Sequence, residues 1–184
     1  SVGISDLVGN VRGKTLVELG SGAGQDSMFF AKQGARVTAI DFSEEQIAHG
    51  KRLAKRRGIK VEFIFGDLNR LSKIRFNQKF DIAYSNYAFQ YVQDLNKLFR
   101  AVSKILKKNG LFVFKIDHPF FRTGKWIKRA DREKFVVEKY FQRRKVFWTW
   151  KIKKVSAHFF AYHRILQDFV DALWESNHMD TQCY

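Results

Sequence analysis

Two periods of apolar residues alternate along this chain. Short apolar runs fall at residues 15–19 (TLVEL), 36–40 (RVTAI), 61–65 (VEFIF), 80–86 (FDIAYSN) and 111–116 (LFVFKI). Bounded by Gly and Asp, they read as buried strands. Between them the period lengthens to that of a helix. The first helix runs from about Gln25 to Gln33 and stops at Gly34, in the usual place for a C-terminal glycine. Ser43-Glu44-Glu45-Gln46 has the form of a capping box and opens a second helix that carries Ile47 and Leu53 and ends near Gly58. Asp94 is an N-cap for a third helix reaching about Lys107, with Leu95, Leu98, Phe99, Val102, Ile105 and Leu106 on one face and Asn109-Gly110 as its stop. Strand and helix taking turns predict a doubly wound α/β fold with a mostly parallel sheet.

After the fifth run the pattern changes. Residues 120–162 contain twelve aromatics, and Val146, Trp148, Trp150 and Ile152 alternate with Phe147, Thr149 and Lys151 as in a two-sided strand. With residues 134–141 (KFVVEKYF) this predicts a hairpin over the mouth of a site, inserted as a cap. A last helix over residues 166–176 buries Leu166, Phe169, Val170 and Leu173. The organisation expected is a single domain over 1–184: a core at 11–118, a cap at 119–163 and a last helix with a short tail at 164–184. Residues 179–184 leave room for one short strand at best. The C-terminal strands are therefore expected to be incomplete, with the outer edge of the fifth strand unpaired.

Composition narrows the class. The 184 residues and 45% hydrophobic content suit one globular domain. No apolar run approaches the roughly 18 residues of a membrane helix, so a soluble, cytoplasmic protein without membrane partners is expected. Cys183 is the single cysteine, and the histidines at 49, 118, 158, 163 and 178 form no H-E-x-x-H pattern, so no metal is expected. The net charge of +16 is uneven: between Arg122 and Lys154 thirteen Lys/Arg face only Asp131, Glu133 and Glu138, a net +10. Basic residues interleaved with aromatics fit a nucleic-acid surface. They also fit, and better, a solvated face of a lysine-rich chain.

The chemistry concentrates at residues 15–41. A strand runs into Gly20-Ser21-Gly22-Ala23-Gly24, a helix leads out, and a second strand ends in Asp41. That is the opening of a nucleotide-binding βαβ unit, in which a carboxylate at the end of the second strand accepts from ribose hydroxyls. A dinucleotide fingerprint would place its third glycine at position 25, where Gln25 stands. Glu18, two residues before the first glycine, would repel a pyrophosphate but suits S-adenosylmethionine, which carries an ammonium and a sulfonium. The methionyl carboxylate can still use the free N–H groups of the turn and helix start.

Glu18-Leu19-Gly20-Ser21-Gly22-Ala23-Gly24 resembles the first motif, E/D-x-G-x-G-x-G, of the class I S-adenosylmethionine-dependent methyltransferases. Phe80 to Ser85 resembles that family's F-D-x-x-x-S motif, and Leu106 to Phe114 its L-K-x-G-G-x-x-x-F phrase, with Asn109 in place of the first glycine. Tyr162-His163-Arg164 is similar to a Y/F-H-R phrase that precedes the last helix of small-molecule members. The resemblance covers about residues 11–174. It implies S-adenosylmethionine as cofactor, bound by Glu18, Gly20, Ser21, Gly22, Gly24, Asp41, Phe42, Gln46, Asp67, Leu68 and Ser85. In this picture Asp67 receives the adenine amino group, the Leu68 amide reaches a ring nitrogen, and Ser85 borders the methionyl part.

Asp117, His118, His163 and Tyr91 are candidates for a base, needed only where the acceptor is protonated. Gln90 stands where many relatives carry histidine. The function expected is methyl transfer to a nucleophilic atom of a small-molecule acceptor. The alternatives are an RNA methyltransferase using the basic cap, or a cofactor-binding module without transfer.

Overall fold

The computed structural model describes residues 7–129, 132–152 and 155–176. Strands β1 (Thr15–Leu19), β2 (Arg36–Asp41), β3 (Glu62–Phe65), β4 (Phe80–Asn86) and β5 (Leu106–Lys115) form one sheet in the order β3-β2-β1-β4-β5, every pairing parallel. The connecting helices are α1 (Gln25–Lys32), α2 (Glu44–Arg56) and α3 (Leu95–Ile105), with 3-10 turns at Leu68–Lys73 and Phe89–Tyr91. The expected doubly wound sheet is therefore present. The proposed short strand at 179–184 and Cys183 lie outside the described residues.

β1 sits in the middle, and its alternation feeds two cores. Val17 and Leu19 join Phe80, Phe89, Phe99, Val102 and Phe169 on one face, while Leu16 joins Phe30, Val37, Ile82 and Tyr84 on the other. Both faces are covered, which is why the central runs are apolar at nearly every position. The helix starts follow the sequence: the Ser43 side chain accepts from Gln46 N and the Asp94 side chain from Lys97 N. Each satisfies an amide that the first turn leaves free.

At the start of the sheet Asp81 joins three strands. Its Oδ2 accepts from Thr15 N (2.8 Å) and Thr15 Oγ1 (2.7 Å), and Lys107 Nζ donates to both carboxylate oxygens at 2.9 Å. These donors, Lys107 first, hold the carboxyl well below the usual carboxylate range. The depressed group contributes stability above its unfolded pKa and loses it as pH falls through the folded one. Asp81→Asn is expected to destabilise by about 1–2 kcal/mol at pH 7 and to flatten the acid limb of the stability curve below about pH 4. Denaturant melts across that range check both.

Three elements differ from the sequence reading. The last helix buries Phe169, Ala172 and Leu173, while Leu166 and Val170 are exposed. α3 stops at Ile105, because Leu106 already has extended backbone and pairs with Phe80; the next pairing is Leu111 with Ile82, so residues 107–110 bulge outward around Asn109 at φ 61°. The cap is also not one hairpin between residues 134–141 and 146–152. It is two: β6 (Gly124–Arg129) with β7 (Arg132–Val137), and β8 (Arg144–Ile152) with β9 (Val155–His163), each antiparallel to its nearest neighbour in the chain. A five-residue helix α4 (Pro119–Thr123) leads into them, and α5 (Leu166–Glu175) packs against α3. β9 lies on the Phe89–Tyr91 turn, and Arg164 fixes it by donating to the carbonyls of Val92 (2.6 Å) and Gln93 (2.7 Å). Among the described residues no strand pairs with the outer edge of β5.

Candidate active site

The site forms where β1, β2 and β4 end side by side. Gly20 N and Ser21 N both donate to Ile40 O at 2.9 Å, so the chain folds back over β2 as soon as β1 ends. Gly20 has φ 77°, and a Cβ there would lie 2.2 Å from Ala88 Cβ; no other residue fits between β1 and the segment after β4. Gly24 caps α1 in the left-handed region, and a Cβ on it would meet the Phe63 ring at 2.7 Å.

Asp41 holds this turn from the side. Its Oδ2 accepts from Gly22 N (2.7 Å) and its Oδ1 from Ser43 N (2.9 Å), tying the glycine turn to the start of α2. Each oxygen keeps a lone pair for a further donor. Phe42, the next residue, is exposed, and the Gln46 side chain reaches over the turn toward Gly22. Asp67 is exposed and caps the 3-10 turn through Asn69 N, while Leu68 is buried beside Gly20. Ser85 is fully buried, and its Oγ donates to Leu19 O at 2.8 Å, bracing β4 against β1 beneath the turn.

Glu18 is buried, 2% exposed, and accepts a hydrogen bond from Ser27 Oγ of α1. Burial, with smaller contributions from Asp26 and Asp41, pushes its carboxyl up to about 8. Asp26, in the first turn of α1, accepts on Oδ2 from Tyr84 OH (2.8 Å) and from Asn86 Nδ2 (3.0 Å). Burial and this acceptor push the Tyr84 phenol well above its ordinary value, so it remains a donor. Asn86 Oδ1 is then left buried without a partner. Ser27, Asp26, Tyr84 and Asn86 thus gather at this end of the sheet; Ser27 and Asp26 were not singled out from sequence. The one local signal was an acid in the first turn of a helix.

The four base candidates are not brought together. Asp117 is ion-paired to Arg122 in an exposed position, and His118 caps α4, accepting on Nδ1 from Phe120 N at 3.3 Å. Tyr91 packs its ring on Phe160 of β9. His163 is buried with Nε2 2.7 Å from Tyr140 O. A carbonyl only accepts, so Nε2 carries a proton, and Nδ1 is buried without a partner. Gln90 Oε1, on the turn that β9 covers, is likewise buried without a partner. A groove of about 830 Å³ lies elsewhere, between α1 and α2 along Val37, Ala54 and Phe63. Among the described residues no cluster of His, Cys, Asp and Glu could hold a metal ion, and no helix is long and apolar enough to cross a membrane.

A family model described as a methyltransferase domain matches residues 10–147, from the lead into β1 to the middle of β8. The chain belongs to the methyltransferase domain family. An S-adenosylmethionine dependent methyltransferase from Mesorhizobium loti superposes on this methyltransferase domain with a TM-score of 0.74 and 28% identity, covering 93% of this chain and 77% of that one. A malonyl-acyl-carrier-protein O-methyltransferase of Bacillus anthracis is 30% identical over 141 residues, 70% of this chain and 49% of that protein. A ubiquinone biosynthesis O-methyltransferase of Bordetella avium is 29% identical over 111 residues, 60% of this chain and 46% of that protein. The methyltransferase domain described here thus spans about half the length of these curated relatives.

Proposed function

We propose that this domain binds S-adenosylmethionine at the glycine turn and transfers its methyl group to a small-molecule acceptor under the cap. The observation that carries the reading is the unpartnered, buried Oδ1 of Asn86, whose amide donates to Asp26, the carboxylate that in turn acts on Glu18, where β1 and β4 end. An acceptor atom buried without a donor is destabilising by about 1–3 kcal/mol. Together with two nearby carboxyls it fits a cationic amino group. The turn offers the complementary half: Gly20 leaves space that a side chain would fill, and the first turn of α1 points its amides toward a carboxylate. Asp41 has lone pairs to spare for two ribose hydroxyls, and Phe42 offers an exposed ring face for the base.

The bound cofactor supplies an electrophilic methyl on a sulfonium, so the chain itself has three tasks: to orient, to exclude water and, for a protonated acceptor, to take a proton. Glu18, Asp26 and Asn86 would fix the amino end, and Asp41 the ribose. Asp67 and Leu68 would flank the base. The Phe89–Tyr91 turn and β9 would cover the acceptor. His163 Nδ1, buried without a partner while Nε2 is engaged with Tyr140 O, would serve as an acceptor of a proton or hydrogen bond.

Titration calorimetry with S-adenosylhomocysteine and with NADH tests the cofactor reading. The expected outcome is binding of the former alone, weakened by roughly 1–3 kcal/mol in Asp41→Ala. Tighter binding of NADH would overturn it.

A nucleic-acid acceptor draws support from the basic segment. Within it, however, Arg143 pairs with Asp168, and Lys145 lies over the Phe160 ring at 4.0 Å. That favours the small acceptor.

A further inference from the structure

Cations line both walls of the groove of about 830 Å³ between α1 and α2. Lys32 closes α1, Lys51 and Lys55 stand one turn apart on α2, Arg36 opens β2, and Lys60 lies between α2 and β3. All five are exposed, and among the described residues none has an ion-pair partner. Among the lining residues the one carboxylate is Glu62, whose Oε2 accepts from Thr38 Oγ1 at 2.7 Å. The excess of cations extends past the walls. Residues 51–60 contain six Lys/Arg and no acid, and Arg36 N donates to Lys14 O (2.8 Å), which sets the exposed Lys14 next to Arg36. A solvated surface ordinarily intersperses both signs of charge. A cleft walled by one sign instead focuses its field and concentrates the counter-ion.

We propose that this groove binds the phosphate backbone of single-stranded nucleic acid, at a site separate from the glycine turn. Lysines on both walls meet phosphates, while the apolar floor of Val37, Ala54 and Phe63 receives a sugar or base. A duplex keeps its bases stacked inside and would leave that floor uncovered. An anionic membrane fits less well, because none of the lining residues is an exposed large apolar side chain that could enter a bilayer. An acidic protein fits less well too: the centre of a protein interface is depleted in lysine, and four of the five cations here are lysines. β2 sets the relation to the glycine turn. It carries Arg36 into the groove at its start and Asp41 to the turn at its end, about 17 Å away. Nucleic acid held in the groove therefore tethers the domain and leaves the glycine turn open.

The test is fluorescence anisotropy with a labelled single-stranded RNA of mixed sequence, about 12 nucleotides long, across a salt series from about 0.05 to 0.2 M. Binding is expected to weaken with salt, with a log–log slope of about −3. The triple variant Lys51→Gln, Lys55→Gln, Lys60→Gln should bring the slope to about −1 and weaken binding roughly tenfold at about 0.1 M salt. Lys32→Gln with Arg36→Gln, from the opposite wall, should reduce the slope by about 1. Arg143→Gln, Arg144→Gln, Lys145→Gln in the cap should leave it unchanged. Thermal melts of the groove variants should match the parent, because all five side chains are exposed and without ion pairs among the described residues. Saturating S-adenosylhomocysteine should leave the RNA affinity as it is, so the outcome does not depend on the cofactor reading. Equal or tighter binding of a duplex of the same length, of polyglutamate or of anionic vesicles overturns the proposal. So does RNA binding that the cap variant loses and the groove variants keep, or RNA displaced by S-adenosylhomocysteine.

Discussion

Glu18→Gln is expected to make the free protein more stable at pH 8 and to remove a slope from its stability curve. The folded-state pKa of Glu18 is raised from 4.5 to about 8, first by burial and then by Asp26 and Asp41. A carboxyl raised in the folded state binds its proton there while the unfolded chain has already released it. Stability is therefore fully present below pH 4.5 and declines as pH rises toward 8, by at most about 1.4 kcal/mol per unit. Glutamine removes the charge and can still accept from Ser27 Oγ, so the hydrogen bond that holds β1 to α1 survives. Denaturant melts at pH 6 and 8 should show the parent losing a few kcal/mol over this range while the variant stays level. Equal slopes would mean that Glu18 ionises freely. The same carboxyl makes binding pH-linked: a cationic amino group beside it favours the ionised form, so uptake of S-adenosylhomocysteine at pH 7 is expected to release a proton. Calorimetry in buffers of different ionisation enthalpy reads that proton directly, and Glu18→Gln should abolish it.

Gly20→Ala is expected to destabilise by roughly 2–4 kcal/mol and to abolish cofactor binding. Two causes add. At φ 77° an L-residue is strained by about 1–2 kcal/mol, and the new Cβ would overlap Ala88 Cβ at 2.2 Å, forcing the turn or the segment after β4 to move. The causes separate by rescue. In an Ala88→Gly background the nearest remaining atom is Ala88 Cα at 3.7 Å, an ordinary contact. The double variant should recover the overlap and keep the backbone strain, giving a favourable coupling of about 1–2 kcal/mol in a double-mutant cycle. Strict additivity would show that the two positions do not touch.

What the sequence made legible was local. The glycine turn, the Ser43 and Asp94 caps and the five core strands each follow from residues within one turn or one alternation, and each lies within a few residues of where the pattern put it. Pairing was not legible in the cap. Alternation in residues 134–141 and 146–152 says that both are strands but not which partner each takes, and the structure gives each its nearer neighbour. The interior of the site was hidden for a related reason. Asp26 meets Tyr84 and Asn86 across 58 and 60 residues of chain, and only the placement of β4 beside β1 brings them together. His163 could be named from its phrase, but its bare Nδ1 depends on a carbonyl that β7 and the following turn deliver.

That distance also sets an order of events for a chain emerging from its N-terminus. β1, β2 and β3 can pair as soon as they exist, yet β1 then has one side open and the Asp81 contacts with Thr15, 66 residues apart, are missing. The middle strand of the finished sheet is thus the edge of every shorter intermediate. Closing it requires a long loop to be drawn together before any contact rewards the step, which slows the reaction. Until β4 arrives, the glycine turn lacks Ala88 behind it and Asp26 lacks both of its donors. A nascent chain halted before Asn86 would hold the glycine motif in full and have no binding site.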